Sequence, residues 1–190
     1  MIDELELKAV VPDVTTLRTR LRAAGARLLR AGRMSDRKFD KDGELSARDE
    51  VLRIRSADFV PGGQAAQLDW KGPTRIADGG YKVRSEVECP LAGSPSDMEQ
   101  ILTALGYQLA FAIDRDVEYY DLHGAILRLE RYPHMDDLLE VEGEPAAIEA
   151  AIVATGIPRA EFSSDALADF VTRYELRTGE IARVSDAALA

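Results

Sequence analysis

The chain has 190 residues, of which 46 % are hydrophobic and 31 % charged, a composition typical of a globular domain rather than a disordered segment. Its 34 acidic residues outnumber the 24 basic ones, and the formal net charge of −10 argues against a protein that binds nucleic acid over its whole surface. The single cysteine excludes an internal disulfide framework and a multi-cysteine zinc site.

Two hydrophobic periodicities alternate along the chain, and they predict both helices and strands. Apolar residues spaced by three or four positions predict helices, the first of which starts at Pro12-Asp13 and stops before Gly32. Apolar residues that alternate with charged ones predict strands, separated by turn sequences such as Asp78-Gly79-Gly80. In chain order the predicted elements are strand 4–10, helix 13–30, strands 51–56, 67–71 and 81–88, helix 96–105, strands 117–121, 126–130 and 138–142, and helices 144–155 and 164–177.

These elements predict a mostly antiparallel sheet, closed as a barrel or folded as a sandwich, because few helices separate the strands. No domain boundary is evident before about residue 160. We predict a single domain over residues 1–178 and a C-terminal tail, residues 179–190, to which no role is assigned. The start of the chain lacks a basic segment followed by an apolar run, and no stretch has the length of a membrane span. We therefore expect a cytoplasmic protein without a membrane or nucleic-acid partner.

The face of each strand opposite the apolar residues carries carboxylates and guanidinium groups rather than the usual mixture of small polar residues. In the first strand, for example, Leu5 and Leu7 alternate with Glu4, Glu6 and Lys8. One interpretation is a sheet with a solvated outer face. The other is a barrel whose leucine face is covered by helices and whose charged face lines the interior, where the charges need partners or ligands. The residue pattern leaves both open.

The charged residues are of the kinds that bind a metal–polyphosphate complex. Two Glu-x-Glu pairs each place two carboxylates about 6–7 Å apart on one strand face. Oxygen donors of this kind suit Mg²⁺ or Mn²⁺, whereas guanidinium and ammonium groups match phosphate oxygens. No glycine-rich nucleotide-binding loop is present, so side chains would have to hold the phosphates. The carboxylates are Glu4, Glu6, Glu140 and Glu142, and the cations are Lys8, Arg53, Arg55, Lys71, Arg84 and Arg115.

The same residues resemble the CYTH superfamily, the triphosphate tunnel metalloenzymes, in five blocks that occur in the family's order across residues 4–142. The N-terminal hallmark Glu-x-Glu-x-Lys is followed by an aromatic-Asp block with a Leu-Arg-Ile-Arg strand, a Lys-Gly-Pro turn, an Arg-x-Glu-x-Glu strand and a closing Glu-x-Glu. These blocks are Glu4-Leu5-Glu6-Leu7-Lys8, Phe39-Asp40 with Leu52-Arg53-Ile54-Arg55, Lys71-Gly72-Pro73, Arg84-Ser85-Glu86-Val87-Glu88, and Glu140-Val141-Glu142.

The resemblance implies an α+β fold in which an eight-stranded antiparallel closed barrel forms a tunnel and helices pack on its outside. It implies Mg²⁺ or Mn²⁺ as the cofactor and a small-molecule triphosphate as the ligand. The family's Lys-x-Arg pair near residue 115 is here reduced to Arg115, and Glu130 stands where members often carry an acidic metal ligand. The implied catalytic residues are Glu4, Glu6 and Lys8; the phosphate-binding residues Lys8, Arg53, Arg55, Lys71, Arg84 and Arg115; and the metal ligands Glu4, Glu6, Glu88, Glu130, Glu140 and Glu142.

Within this family a hydrolase and a cyclase share the tunnel and differ in the group that attacks the phosphate. Cyclisation of ATP also needs a pocket for the base, and none is identifiable in the sequence. We therefore expect a metal-dependent triphosphatase, with a class IV-type adenylyl cyclase and a non-catalytic polyphosphate-binding or nucleotide-binding module as alternatives. The sequence leaves open whether the protein forms a homodimer.

Overall fold

The structure is a computed structural model that describes the backbone of residues 2–186 and the side chains of residues 5–186. The strands in this part of the chain are β1 (Ile2–Val10), β2 (Arg27–Asp40), β3 (Val51–Val60), β4 (Gly63–Lys71), β5 (Arg75–Ile76), β6 (Lys82–Pro90), β7 (Gln108–Leu122), β8 (Ala125–Arg131) and β9 (Leu138–Glu142). They form one antiparallel sheet in the order β1-β9-β8-β7-β2-β3-β4-β6-β5, and β1 pairs with β6 as well as β9. This second pairing closes eight strands into a barrel, as the sequence predicts, while the two-residue β5 lies beside β6.

The described helices lie outside the barrel: α1 (Val14–Ala23), α2 (Glu44–Ala47), α3 (Pro95–Ala104), α4 (Pro145–Thr155) and α5 (Leu167–Thr178). The main core forms between the outer faces of β1, β8 and β9 and the inner faces of α1 and α4. Leu127, Leu139 and Ile148 in this core are fully buried, each contributing about 1.5–3 kcal/mol by leaving water. The helices therefore cover the leucine face of the sheet, which leaves the charged face as the barrel interior.

The first predicted helix is too long, and the strand that follows it was missed. Helix α1 begins after Asp13, whose carboxylate accepts the backbone N–H of Thr15 at 2.9 Å, and it ends at Ala23 rather than at residue 30. Gly25 has a φ of +84°, a left-handed conformation that turns the chain out of the helix. Residues 27–30 instead begin β2, the strand that pairs with both β3 and β7. The predicted helices 96–105, 144–155 and 164–177 correspond to α3, α4 and α5 to within a single turn.

The segment after α5 contacts β7 at Asp114 and forms an isolated bridge between Arg183 and His134. The Asp114 N–H donates to the Val184 carbonyl oxygen at 2.8 Å, and the Asp114 carboxylate accepts the Asp186 N–H at 3.0 Å. This segment covers the part of β7 that β8 does not reach, since β8 pairs with β7 only from Asp116 onwards. Among the helices in residues 2–186, none combines the length and the apolar character that crossing a bilayer requires.

Barrel closure depends on a close approach of β2 and β3 at Gly32. A Cβ placed on Gly32 would lie 1.9 Å from the backbone oxygen of Asp58, so neither strand could keep its position. We predict that Gly32→Ala lowers the free energy of unfolding by about 2–4 kcal/mol, measured by urea denaturation followed by circular dichroism. Gly93→Ala is the matched control, because its Cβ would meet open space and should change stability by about 0.5 kcal/mol or less. Equal stability of the two variants would contradict the close approach.

Candidate functional site

The charged face of the sheet lines the interior of the barrel, so the solvated-face interpretation is wrong. Glu130 and Glu140 are each 2 % exposed, Arg115 is 3 % exposed, and Lys8 and Arg53 are also buried. In the register, Lys8 lies opposite Glu140, and Arg53 lies opposite both Lys38 and Asp69. The pairs Lys8–Glu140 and Arg53–Asp69 join opposite charges across neighbouring strands, which helps the fold tolerate buried charges, whereas Lys38 and Arg53 are two cations placed opposite each other.

The interior contains two connected chambers. The first, here called the basic chamber, has a volume of about 120 Å³ and is lined by Lys8, Lys38, Arg53, Arg84 and Arg115. The second, here called the aromatic chamber, has a volume of about 230 Å³, and Arg30, Phe59, Glu88, Tyr119 and Glu142 are among its lining residues. Five residues line both chambers and form the boundary between them: Glu6, Arg55, Lys71, Arg128 and Glu140.

Asp36 on β2 is the centre of the cation cluster in the basic chamber. Its carboxylate accepts hydrogen bonds from Arg55 Nε at 2.8 Å and Arg115 Nη2 at 3.0 Å, and Arg53 Nη1 lies 3.4 Å away. Burial alone would raise the pKa of Asp36, but the three guanidinium groups outweigh it and hold the pKa well below its ordinary value. One ionised carboxylate therefore fixes the directions of three predicted phosphate-binding arginines.

Arg115 is also held from the opposite side, by Glu130. Arg115 Nε donates to Glu130 at 2.8 Å, and the same carboxylate accepts Arg128 Nε at 3.0 Å and the Tyr132 hydroxyl at 2.8 Å. Burial would raise the pKa of Glu130, but the charges of Arg115 and Arg128 outweigh it and lower that pKa. Arg115 Nη1 is buried and has no hydrogen-bond partner within residues 5–186. A buried, ionised N–H without an acceptor is costly, so this nitrogen marks a place for an anionic oxygen.

Lys8 and Glu140 form the wall of the basic chamber contributed by β1 and β9. Lys8 Nζ lies 2.7 Å from Glu140 Oε2, and Arg128 also contacts the Glu140 carboxylate. Burial alone would lower the pKa of Lys8, but the carboxylates of Glu140 and Glu130 raise it, so the ammonium stays charged. Glu140 is likewise held ionised, because the charges of Arg128 and Lys8 outweigh the cost of its burial and lower its pKa.

The other predicted phosphate-binding residues are also engaged. Lys71 Nζ contacts the Glu86 carboxylate, and the pKa of Lys71 is lowered by burial and by the nearby charge of Arg53. Arg84 lines the basic chamber but donates to two loop carbonyl oxygens, that of Gly72 at 2.6 Å and that of Asp49 at 2.5 Å. Binding of a phosphate to these cations would therefore exchange one oxygen partner for another.

The predicted metal ligands do not form one cluster. Glu6 and Glu142 are directly opposite each other in the register, and Glu140 is two residues from Glu142. These three carboxylates therefore share one wall of the interior, here called the carboxylate wall. Glu130 is enclosed by its own three partners, and Glu88 is exposed at the end of the aromatic chamber, where it accepts from Gln67 at 2.9 Å. The side chain of Glu4, the sixth predicted ligand, lies outside those described. No group of three His, Cys, Asp or Glu side chains within the described residues is arranged to hold a metal ion.

Sequence reasoning missed the contribution of β2 to the site, namely Arg30, Asp36 and Lys38. The arginine stacks on both rings of an aromatic pair, Phe59 and Tyr119, whose centroids are 5.8 Å apart. A sequence signal for this contribution was present: Arg30, Asp36 and Lys38 stand at alternate positions of one segment, as residues on one face of a strand do. The register with β3 and β7 places that face toward the interior.

The buried carboxylates predict a steep loss of stability in acid. The pKa values of Asp36, Glu130 and Glu140 are lower in the folded chain than the ordinary values, so the unfolded state binds more protons over the intervening pH range. Their contribution to stability is present above about pH 4.5 and is lost as the pH falls below it. We expect the urea midpoint to fall between pH 5 and pH 3, whereas a constant midpoint would contradict the pairing of these carboxylates.

Comparisons with known proteins support the fold. No protein-family model and no curated protein matches the chain. Among solved structures, the PH1819 protein from Pyrococcus horikoshii OT3 has a TM-score of 0.75 at 21 % identity, over 90 % of this chain and 98 % of that one. A candidate adenylate cyclase from Vibrio parahaemolyticus has a TM-score of 0.73 at 14 % identity, over 89 % and 97 % of the chains.

A third solved structure is the candidate adenylyl cyclase HpAC1 from Hippeastrum, which has a dominant triphosphatase activity. Its TM-score is 0.63 at 19 % identity, over 97 % of this chain and 99 % of that one. At these identities the likeness is one of fold. The closed eight-stranded antiparallel barrel expected from the CYTH resemblance is thereby confirmed.

Proposed function

We propose that this protein is a metal-dependent enzyme of the CYTH superfamily that hydrolyses a phosphoanhydride bond of a triphosphate. The observation that carries the proposal is the basic chamber, in which the buried Arg115 Nη1 has no acceptor among the described residues. An anionic oxygen placed there would supply the missing partner and remove the cost of an unsatisfied ionised N–H. The small volume of the two chambers suits a small phosphate compound rather than a polymer.

The cations of the basic chamber would bind and orient the phosphates. Arg53, Arg55 and Arg115 are held in place by Asp36, and this fixed arrangement lowers the entropic cost of binding, although each paired nitrogen would share its carboxylate with the phosphate. Lys8 lies between the carboxylate wall and the basic chamber, where it would neutralise charge on the phosphoryl group during transfer. Because phosphoryl transfer depends mainly on positioning and charge stabilisation, this arrangement needs no covalent nucleophile.

The carboxylate wall fits Mg²⁺ or Mn²⁺ in the chemistry of its donors. Glu6, Glu140 and Glu142 supply hard carboxylate oxygens from two adjacent strands, and we propose that the metal binds these residues together with Glu4. Glu130 and Glu88, at their present positions, are less suited to this role than the sequence alone implies. When bound, the metal would lower the pKa of a coordinated water and polarise phosphate oxygens. Lys82, whose Nζ lies 2.6 Å from Glu6 Oε1, neutralises part of this wall.

The proposal is tested by incubating the purified protein separately with tripolyphosphate, ATP and thiamine triphosphate, with Mg²⁺, with Mn²⁺ or with EDTA. We expect inorganic phosphate to be released from at least one of the compounds with a divalent metal and not with EDTA. Tight binding of all ligands without any product over hours would overturn the enzyme proposal in favour of a non-catalytic binding module.

Adenylyl cyclase activity is the second candidate, because the aromatic chamber offers a place for a planar base. Phe59, Tyr119 and Met34 line it, and Arg30 lies 4.4 Å from the Tyr119 ring centroid. Aromatic rings and guanidinium planes both stack on bases. Cyclic AMP and pyrophosphate as the main products from ATP would establish the cyclase and reject the hydrolase, whereas phosphate release from tripolyphosphate would favour the hydrolase.

A further inference from the structure

Lys38 on β2 differs from the other cations of the basic chamber. Its side chain lines that chamber, because Lys38 lies opposite Arg53 on β3 and Phe111 on β7. Within residues 5–186, its ammonium has neither a hydrogen bond nor an ion pair, and its nearest recorded contact is the Phe111 ring, 5.6 Å from Nζ. An ammonium group in a partly buried site without a carboxylate partner is unusual, since such charges are normally paired.

The neighbouring cations of the basic chamber, in contrast to Lys38, each have a carboxylate partner. Lys8 is paired with Glu140, Arg53 with Asp69, and Arg55 with Asp36. Each of these cations must leave or share a carboxylate to bind a phosphate. Lys38 would gain a partner without losing one, so an anion entering the chamber is stabilised more by Lys38 than by an equally placed but paired cation.

A second observation places the anion beside Lys38. Arg115 Nη2 bonds to Asp36, which is two residues from Lys38 on the same face of β2, and the neighbouring Nη1 of Arg115 has no partner in the described chain. The guanidinium of Arg115 and the ammonium of Lys38 both line the basic chamber, and the charge of Arg115 acts on Lys38 by lowering its pKa. Two donors without acceptors thus come from adjacent strands, β7 and β2.

We infer that Lys38 is a substrate-binding residue that completes, with Arg115, a site for one phosphoryl group of the triphosphate. This inference rests on the proposed function and adds one substrate-binding residue to the proposed site. In that part of β7, Arg115 supplies a cation to the chamber, but the preceding inward position is occupied by the apolar Ile113. The second cation of the site then comes from the neighbouring strand.

Binding at this site is coupled to the protonation of Lys38. Burial, together with the positive charges of Arg53, Lys8 and Arg115, lowers the pKa of Lys38 to about 8, although Asp36 opposes this effect. Lys82 and Arg84 of β6 and Glu130 of β8 also line the chamber, while Ala166 and Leu167 at the start of α5 contribute no charge. A phosphate beside the ammonium favours its charged form, so near pH 8.5 the protein takes up a proton as the ligand binds.

The test is isothermal titration of the full chain with tripolyphosphate in EDTA at pH 8.5, in two buffers with different ionisation enthalpies. EDTA prevents metal-dependent turnover, and the site itself is built from side-chain cations. We expect Lys38→Met to weaken binding by about 10- to 100-fold, the usual range for a lost hydrogen bond between charged groups. Lys41→Met, which removes an exposed ammonium from the end of the same strand, is the matched control and should bind like the wild type.

Two further readouts separate a binding role from a structural one. Lys38→Arg should retain most of the affinity but take up fewer protons than the wild type, because an arginine is already charged. Lys38→Met should unfold at a higher urea concentration than the wild type at pH 7, because it removes an unpaired, partly buried charge.

Equal affinity of Lys38→Met and the wild type, or undiminished proton uptake by Lys38→Arg, would overturn the inference and leave the proposed function intact. If the wild-type protein itself does not bind tripolyphosphate, the proposed function fails, and the role of Lys38 fails with it.

Discussion

Asp36→Asn is expected to lower the free energy of unfolding by about 3–5 kcal/mol at neutral pH, the range seen when one partner of a buried ion pair is removed. Asp36 is 1 % exposed and contacts Arg53, Arg55 and Arg115. Asparagine keeps the shape of the side chain but removes the negative charge that the three guanidinium groups share. Their mutual repulsion would then act in a buried site with less compensation.

Urea denaturation followed by circular dichroism measures this loss, and Asp116→Asn is the matched control. Asp116 lies on β7 with an exposed side chain whose contact with Arg33 is 3.3 Å, so its loss should cost about 1 kcal/mol or less. Tripolyphosphate should stabilise Asp36→Asn more than it stabilises the wild type, because the released arginines gain an anionic partner. A variant as stable as the control would show that Asp36 does not organise the cluster.

Glu6→Gln is expected to lower kcat by on the order of 100-fold or more, as when one preorganised charged group is lost from an active site. Glu6 lines both chambers and belongs to the carboxylate wall that we propose to hold the metal. Glutamine keeps one oxygen donor but not the charge, so the concentration of Mg²⁺ needed for half-maximal activity should rise as well. The fold should survive, since within residues 5–186 the direct ion-pair contact of the Glu6 carboxylate is with Lys82 Nζ, at 2.6 Å, and its effects on Lys8 and Lys71 act over a longer distance.

Phosphate release at several Mg²⁺ concentrations measures both effects, and Glu161→Gln, an exposed substitution in the turn Arg159–Glu161, is the control. Binding of tripolyphosphate in EDTA should be unchanged or tighter in Glu6→Gln, because a negative charge has been removed from the boundary of the two chambers. Full activity of this variant at the wild-type Mg²⁺ requirement would mean that the carboxylate wall does not bind the metal.

Much of the fold could be predicted because one face of most strands is apolar. In β8 and β9, Leu127, Leu129, Leu139 and Val141 alternate with charged residues, and this pattern predicts the strands and separates an apolar face from a charged one. The helix ends at Asp13 and Gly156 were equally visible, because a side-chain cap and a left-handed glycine have local sequence signals.

Strand β2 could not be predicted in the same way because neither of its faces is apolar. Its inner face carries Met34, Asp36 and Lys38, and its outer face carries Arg33 and Arg37, which bind acidic residues outside the barrel. Without alternating hydrophobicity, the helical spacing before it appeared to continue to residue 30. The strand is specified by its long pairing with β3 and β7, a tertiary effect that no local pattern reports.

The site could be predicted in its residue types but not in its pairing. The sequence identifies Lys8, Arg53 and Arg115 as cations of the interior, and the structure places all three in one chamber. Which carboxylate each of them contacts depends on the register between strands that are distant in the chain. The central position of Asp36 and the unpaired state of Lys38 within the described residues follow from that register.

The closure of the barrel also determines the order in which the site is assembled. Strand β1 pairs with β6 and β9 and forms a bridge from Lys8 to Ser163, so its nearest pairing partner in the described chain lies more than 70 residues later in the sequence, as the pairing of Glu6 with Lys82 shows. Pairings between such distant segments form late, because a long loop must be closed before they yield any contact. During synthesis, β1 can complete its pairing only after β9 has emerged. We therefore expect the carboxylate wall, which needs both strands, to be completed late in folding.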